Sequence, residues 1–192
     1  MPKLGMEPVR RAALIDAAIA EIGAAGSLDV TVGGIARRAG VSSGLAHHYF
    51  GGKDDILLAA MRHVLKVYSE EVRSRLVAAS GPAARVEAVI RASFAPSNFQ
   101  PDTVAAWVNF YLLALSSEDA ARLLRVYRRR LRSNLVHALR QLGAQDPLGS
   151  AIRIGALIDG LYLRHSLADT PDGAAATRAA LSALALELKG AA

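Results

Sequence analysis

Five histidines are the side chains of widest chemical reach in this sequence, and their spacing removes most of what histidine does. His47 and His48 are adjacent, and neighbours on a helix point about 100° apart, a poor arrangement for holding one metal ion. His63, His137 and His165 stand alone, with no H-E-x-x-H pair, no G-x-S-x-G nucleophile and no phosphate loop beside them. The absence of cysteine excludes disulfides, thiolate metal sites and thiol nucleophiles together. A helical enzyme acting on a small amine would lack its base, its nucleophile and its metal set, so neither catalysis nor a cofactor is expected. What remains is surface recognition. Ser42, Ser43, Gly44, His47 and His48 fall on or near the outer surface of one short segment and are candidates for such contact.

That segment, residues 31–50, reads TVGGIARRAGVSSGLAHHYF. Thr31 and Ser42 are placed to cap two short helices with their hydroxyls, Gly40 tolerates a left-handed exit between them, and Gly51 with Gly52 ends the second. Ile35, Ala36, Ala39, Val41 and Leu45 close a small core against a preceding helix striped by Leu14, Ile15, Ala18, Ile19 and Ile22. A helix, a glycine turn and a second helix present one helix to the major groove, although the same pattern also suits a helical hairpin within a bundle. A formal charge of +6 attracts polyanions but equally fits an ordinary basic protein.

The chain supporting this segment is helical throughout. A stripe of Ile56, Leu57, Ala60, Met61, Val64, Leu65, Tyr68, Val72 and Leu76 predicts a rod of about six turns, long enough to join two domains. Breaks at 96–101, 116–117, 143–147 and 170–173 leave about nine helices and no strand pattern. With 192 residues, 52% hydrophobic and 21% charged, a packed all-α protein is expected. We place a three-helix DNA-binding domain at 8–66 and a larger helical ligand-binding and dimerisation domain at 67–192. Charges and prolines occupy the start where a signal peptide needs an apolar run, and the uncharged stretch 103–117 is shorter than the roughly 20 residues that span a bilayer. A soluble cytoplasmic protein with no membrane partner is expected.

The pattern T-V-x-x-I-A-x-x-A-G-V-S-x-G-x-x-x-x-Y-F-x-x-K-x-x-L resembles the signature of the TetR family of repressors. It is carried here by Thr31, Val32, Ile35, Ala36, Ala39, Gly40, Val41, Ser42, Gly44, Tyr49, Phe50, Lys53 and the pair Ile56 and Leu57. The resemblance implies that Ser43, Gly44 and His47 approach base edges while Thr31, Tyr49 and Lys53 hold phosphates. Hydroxyls and a lysine at a helix start suit that positioning role. Gly33 and Gly34 depart from the polar helix formers usual there, and each costs roughly 1 kcal/mol against alanine, so a looser helix is expected.

Further stretches, MPKLGM at 1–6, RRLRSNLV at 129–136 and ALIDGLYLR at 156–164, are similar to the choline-responsive branch of that family. This implies a repressor of the genes that oxidise choline through betaine aldehyde to the osmoprotectant glycine betaine, released from its operator by choline. A quaternary ammonium has no hydrogen to donate and is held by aromatic faces, each worth about 0.5–2 kcal/mol, and by a carboxylate. Trp107, Phe110 and Tyr111 cluster on one helix, with Trp107 and Tyr111 on one face, and are the first choice for the cage. Asp159 and Tyr162, three apart among apolar neighbours, are its second part. The alternative makes the α-helical aromatics ordinary core and pairs Asp159 with Arg153 or Arg164; a lipophilic or acyl effector would also suit greasy walls. Alanine-rich helices near 149–167 and 172–189 suit a four-helix homodimer interface. Such a dimer sets its reading helices about 34 Å or more apart and requires a quasi-palindromic double-stranded operator. The arginines of 122–132 are read as a solvated face.

Overall fold

A computed structural model of the chain describes residues 5–189; of the MPKLGM stretch, positions 1–4 lie outside the described residues. Among the described residues the order is α1 (Met6–Ala25), α2 (Val32–Arg38), α3 (Ser43–Phe50), α4 (Lys53–Ala78), α5 (Pro82–Ser93), a 3₁₀ turn (Pro96–Phe99), α6 (Pro101–Leu113), α7 (Glu118–Gln141), α8 (Pro147–Ser166) and α9 (Gly173–Lys189). The expected all-α class and the helix count are both found. No helix among the described residues is long and apolar enough to cross a membrane.

The chain forms two compact units. The first takes the residues up to Leu65 together with Pro101–Ala121, and the second takes Lys66–Gln100 and Arg122 onward. One boundary between the units falls between Leu65 and Lys66. Helix α6, which the sequence reading counts with the second domain, instead packs on α1. Its Ala105 joins the core of the first unit, and buried Asn109 donates to the Gly26 carbonyl at 3.3 Å.

That core gathers Leu14, Ala18 and Ile22 of α1, Ile35 and Ala36 of α2, Ala46 and Phe50 of α3, and Ile56, Leu57 and Ala60 of α4. Leu45, read from the sequence as a core residue of the third helix, is only half-buried, and Ala46 takes that place. Helix α2 forms despite its two glycines. A Cβ on Gly34 would stand 3.2 Å from both Thr31 Oγ1 and Glu21 Oε2, so the missing side chain leaves room for the cap and for the Glu21–Arg38 ion pair at 2.6 Å. Gly40 sits at φ +67°, the left-handed turn that lets α3 leave α2.

Arg11 of α1 fastens the end of α3. Its guanidinium lies 4.4 Å from the centre of the Phe50 ring, and Nη1 donates to the Tyr49 carbonyl, one of the acceptors that a helix end leaves without an intrahelical partner.

In the second unit the buried polar side chains other than Ser166 are paired. Ser93 donates to the Val89 carbonyl at 3.0 Å, so the Tyr68 hydroxyl is the donor in its 3.2 Å bond to Ser93 Oγ. Tyr162 donates to the Asn98 carbonyl at 2.7 Å, and Asn98 donates to the Ala92 carbonyl at 2.9 Å. Arg153 of α8 pairs with Glu187 of α9 and, at 3.8 Å, with Asp146; Ser150 also donates to Glu187, at 2.7 Å. The Arg153 hydrogen bond holds the Glu187 carboxyl below its ordinary range.

Two outcomes follow from these contacts. Arg11→Ala should lower the unfolding free energy by about 1–2 kcal/mol, read from denaturant midpoints, because a cation–π contact and a hydrogen bond to a helix-end carbonyl are lost together. Burial pushes the Tyr68 hydroxyl up to about 12, against the pull of the Ser93 hydrogen bond and with a push from the Asp159 charge. The folded state thus favours neutral Tyr68. Its contribution is complete below the ordinary value of 10.0 and is lost as pH rises from there through about 12. The loss amounts to roughly 3 kcal/mol. Unfolding curves from about pH 9 to about pH 12 should show that component in the natural chain and not in Tyr68→Phe.

Candidate nucleic-acid interface and effector site

The exposed face of α2 and α3 is built on their caps. Thr31 accepts the Gly34 amide at 3.0 Å and Ser42 accepts the Leu45 amide at 3.2 Å, so both hydroxyl oxygens satisfy free donors at the starts of α2 and α3 while their own protons remain for a partner. With Ala46 and Phe50 buried, α3 turns Ser43, Gly44, His47 and His48 to the exposed side. Ser42 and Thr31 are exposed beside them, and Tyr49 and Lys53 are half-buried. The eight DNA-facing candidates thus occur together within one compact unit.

His47 has a defined tautomer when neutral. Its Nδ1 lies 2.9 Å from the Gly51 carbonyl, which only accepts, so Nδ1 carries the proton and Nε2 is an acceptor. The His48 ring stands 5.5 Å from that of Tyr49, tilted by 51°. Arg11, which holds the carbonyl of Tyr49 and the ring of Phe50, carries no motif in the sequence and is absent from the sequence-based site; the 38-residue separation from Tyr49 hid it.

The five effector candidates fall into two groups. Trp107, Phe110 and Tyr111 belong to the first unit. Trp107 packs 6.0 Å from Phe110 at 62° and 6.0 Å from Tyr111 at 31°, and Trp107 and Phe110 are buried, which suits a core role. Asp159 and Tyr162 belong to the second unit and sit among other aromatic rings. The Tyr127 hydroxyl donates to Asp159 Oδ1 at 3.2 Å, and the Tyr127 ring meets that of Tyr68 edge-on at 5.5 Å. Tyr162 meets Phe99 edge-on at 5.4 Å, and Phe99 lies 6.4 Å from Phe94. Arg153, expected as one partner for Asp159, is instead engaged by Glu187 and Asp146. Tyr68 is legible in the sequence only as a position of an apolar stripe, and Tyr127 belongs to no motif there. Among the described residues no group of three or more His, Cys, Asp or Glu is placed to hold a metal ion.

Residues 14–60 match the family of bacterial regulatory proteins of the tetR type, and residues 82–189 match the C-terminal domain of BetI-type transcriptional repressors. The HTH-type transcriptional regulator BetI of Brucella suis is 51% identical over 192 residues, covering 99% of this chain and 97% of its own. Among solved structures, a putative transcriptional regulator from Pseudomonas aeruginosa PAO1 superposes with a TM-score of 0.73 at 28% identity, covering 99% of this chain and 97% of its own. A putative transcriptional regulator from Saccharomonospora viridis in complex with choline shares the fold with a TM-score of 0.80 at 21% identity, covering 91% of this chain and 95% of its own. A unit capped in this way, matched over both parts of the chain by transcriptional regulators, makes the protein a member of the TetR family and, within it, a DNA-binding transcriptional repressor of the BetI type.

Proposed function

We propose that this protein represses the genes for oxidation of choline to glycine betaine, acting in the cytoplasm as a homodimer on a quasi-palindromic operator, and that choline releases it. The observation that carries the reading is the half-buried Asp159 carboxylate among tyrosines, the type of surrounding that suits a quaternary ammonium. The resemblance to BetI regulators over the whole chain and the choline complex of the Saccharomonospora viridis neighbour support it.

In this reading Ser43, Gly44 and His47 meet base edges, and the Nε2 acceptor of His47 suits an exocyclic amino group of cytosine or adenine. Thr31, Ser42, His48, Tyr49 and Lys53 contact the sugar–phosphate backbone. Asp159 and Tyr162 contact the effector. Trp107, Phe110 and Tyr111 are a second aromatic candidate, tested by whether Trp107→Ala alters the response. Dimerisation is assigned to α8 and α9. Leu148, Ile152 and Leu163 are exposed along α8, and Leu167 just after it, with Ala156 and Gly160 between them, and Leu186 of α9 is 71% exposed. Small residues within such a face allow close helix approach. Helix α4 is continuous from Lys53 to Ala78, so it carries both a phosphate-binding start and Tyr68. A coupling of about 1–3 kcal/mol through it would change operator affinity roughly 5- to 150-fold.

Choline titrated into the protein bound to DNA from the promoter beside its own gene, with equal sodium chloride as control, should release the DNA. Salt-controlled binding without a choline response would keep the repressor and reject the effector. Lys53→Ala should weaken binding to every sequence and reduce the salt slope by about 1, whereas His47→Ala should relax preference at one base pair by about 1–3 kcal/mol. An unchanged slope removes Lys53 from the phosphate contacts.

A further inference from the structure

The Ser166 hydroxyl is buried and has no hydrogen-bond partner, which makes it the one such side-chain atom among the described residues. An unsatisfied buried hydroxyl is costly, and in a folded protein it marks a place for a group that the chain itself does not supply. Ser166 stands at the end of α8, seven residues after Asp159 and four after Tyr162. Two helical turns bring positions seven apart back to one face, with about 10.5 Å between them along the axis. One stripe of α8 thus carries a carboxylate at one end, an aromatic ring in the middle and an orphan hydroxyl at the other.

Other elements complete the surroundings. Tyr127 holds Asp159 by its hydroxyl and packs on Tyr68. Tyr162 spends its hydroxyl on the Asn98 carbonyl, so it faces any ligand as a ring rather than a donor, with Phe99 against its edge or face at 5.4 Å. Ionised Asp159 attracts a cation and repels an anion, while a serine hydroxyl both donates and accepts.

Resting on the effector reading above, we infer that this stripe is a two-ended selector for a cationic alcohol: Asp159, held by Tyr127 with Tyr68 behind it, seats the quaternary ammonium, and Ser166 takes the hydroxyl. A molecule bearing the same ammonium but a carboxylate in place of the alcohol meets Asp159 with no net charge, and its own carboxylate is repelled by that of Asp159. The repressor therefore responds to the substrate of the oxidation and not to its acid product.

Calorimetric titration of the full-length protein tests both ends, with circular dichroism and operator affinity as checks on folding. The natural chain should bind choline, bind tetramethylammonium more weakly, and bind neither 3,3-dimethylbutan-1-ol, the neutral analogue, nor glycine betaine at comparable concentration. Asp159→Asn should weaken choline by roughly tenfold or more. Ser166→Ala should weaken choline by roughly three- to tenfold while leaving tetramethylammonium unchanged, since that probe has no hydroxyl to lose. Tyr127→Phe, which keeps the ring, should weaken choline should Asp159→Asn fail to fold. Choline binding as in the natural chain by all the folded variants, or equal binding of the neutral analogue, overturns the selector and leaves the choline reading standing. No binding of choline or tetramethylammonium by the natural chain overturns both.

Discussion

A helix of eight residues such as α3 cannot hold itself in water, because helix nucleation is unfavourable and so short a segment is marginal alone. Everything that α3 presents on its outer face therefore depends on burying its other side. Ala46 and Phe50 enter a core shared with Leu14, Ala18 and Ile22 of α1 and Ile35 of α2, and this burial leaves Ser43, Gly44, His47 and His48 outside. The caps and the turn supply the rest: Thr31 and Ser42 satisfy amides that the short helices would leave open, and Gly40 allows the change of direction. Arg11 closes the far end of α3 by taking a carbonyl there.

The second unit obeys a different constraint, the cost of burying polar atoms. Tyr68, Ser93, Asn98, Tyr127 and Tyr162 are buried, and each hydrogen-bonds to a named carbonyl, hydroxyl or carboxylate. Such a network fixes the rings as firmly as apolar packing does, since breaking any bond leaves a desolvated group behind. Asp159 is part of that network and only half-buried, and Ser166 lies outside it. A site made from these parts is preorganised, so a ligand would not have to order the side chains that hold it.

Specificity in a regulator of this kind comes from unequal interactions rather than from strong ones. The outward face of α3 has hydrogen-bonding groups at defined positions, and a neutral His47 is an acceptor at Nε2 because the Gly51 carbonyl accepts from Nδ1 and fixes the ring's one N–H proton there. A ligand shifts operator binding only by the difference in its affinity for two conformations. Helix α4 contains both Lys53 and Tyr68, and its unbroken backbone is the covalent path along which such a difference would pass.

Features that depend on near neighbours in the chain are legible in the amino-acid order. Helix starts at Thr31 and Ser42, the turn at Gly40, the break after Phe50 and the apolar stripe of α4 rest on contacts within a few residues, and the density of the motif through Lys53 pointed to the family. The tertiary structure alone decided the partners across long separations. Arg11 meets Tyr49 over 38 residues, Tyr127 meets Asp159 over 32, and Arg153 chooses Glu187 over 34 rather than Asp159. It also drew α6, with Trp107 and Tyr111, into the first unit and left Ser166 without a partner. Helical periodicity states which residues share a face of one helix, but several faces of similar composition compete for each buried surface. Only the packing of all of them at once selects which acid meets which ring.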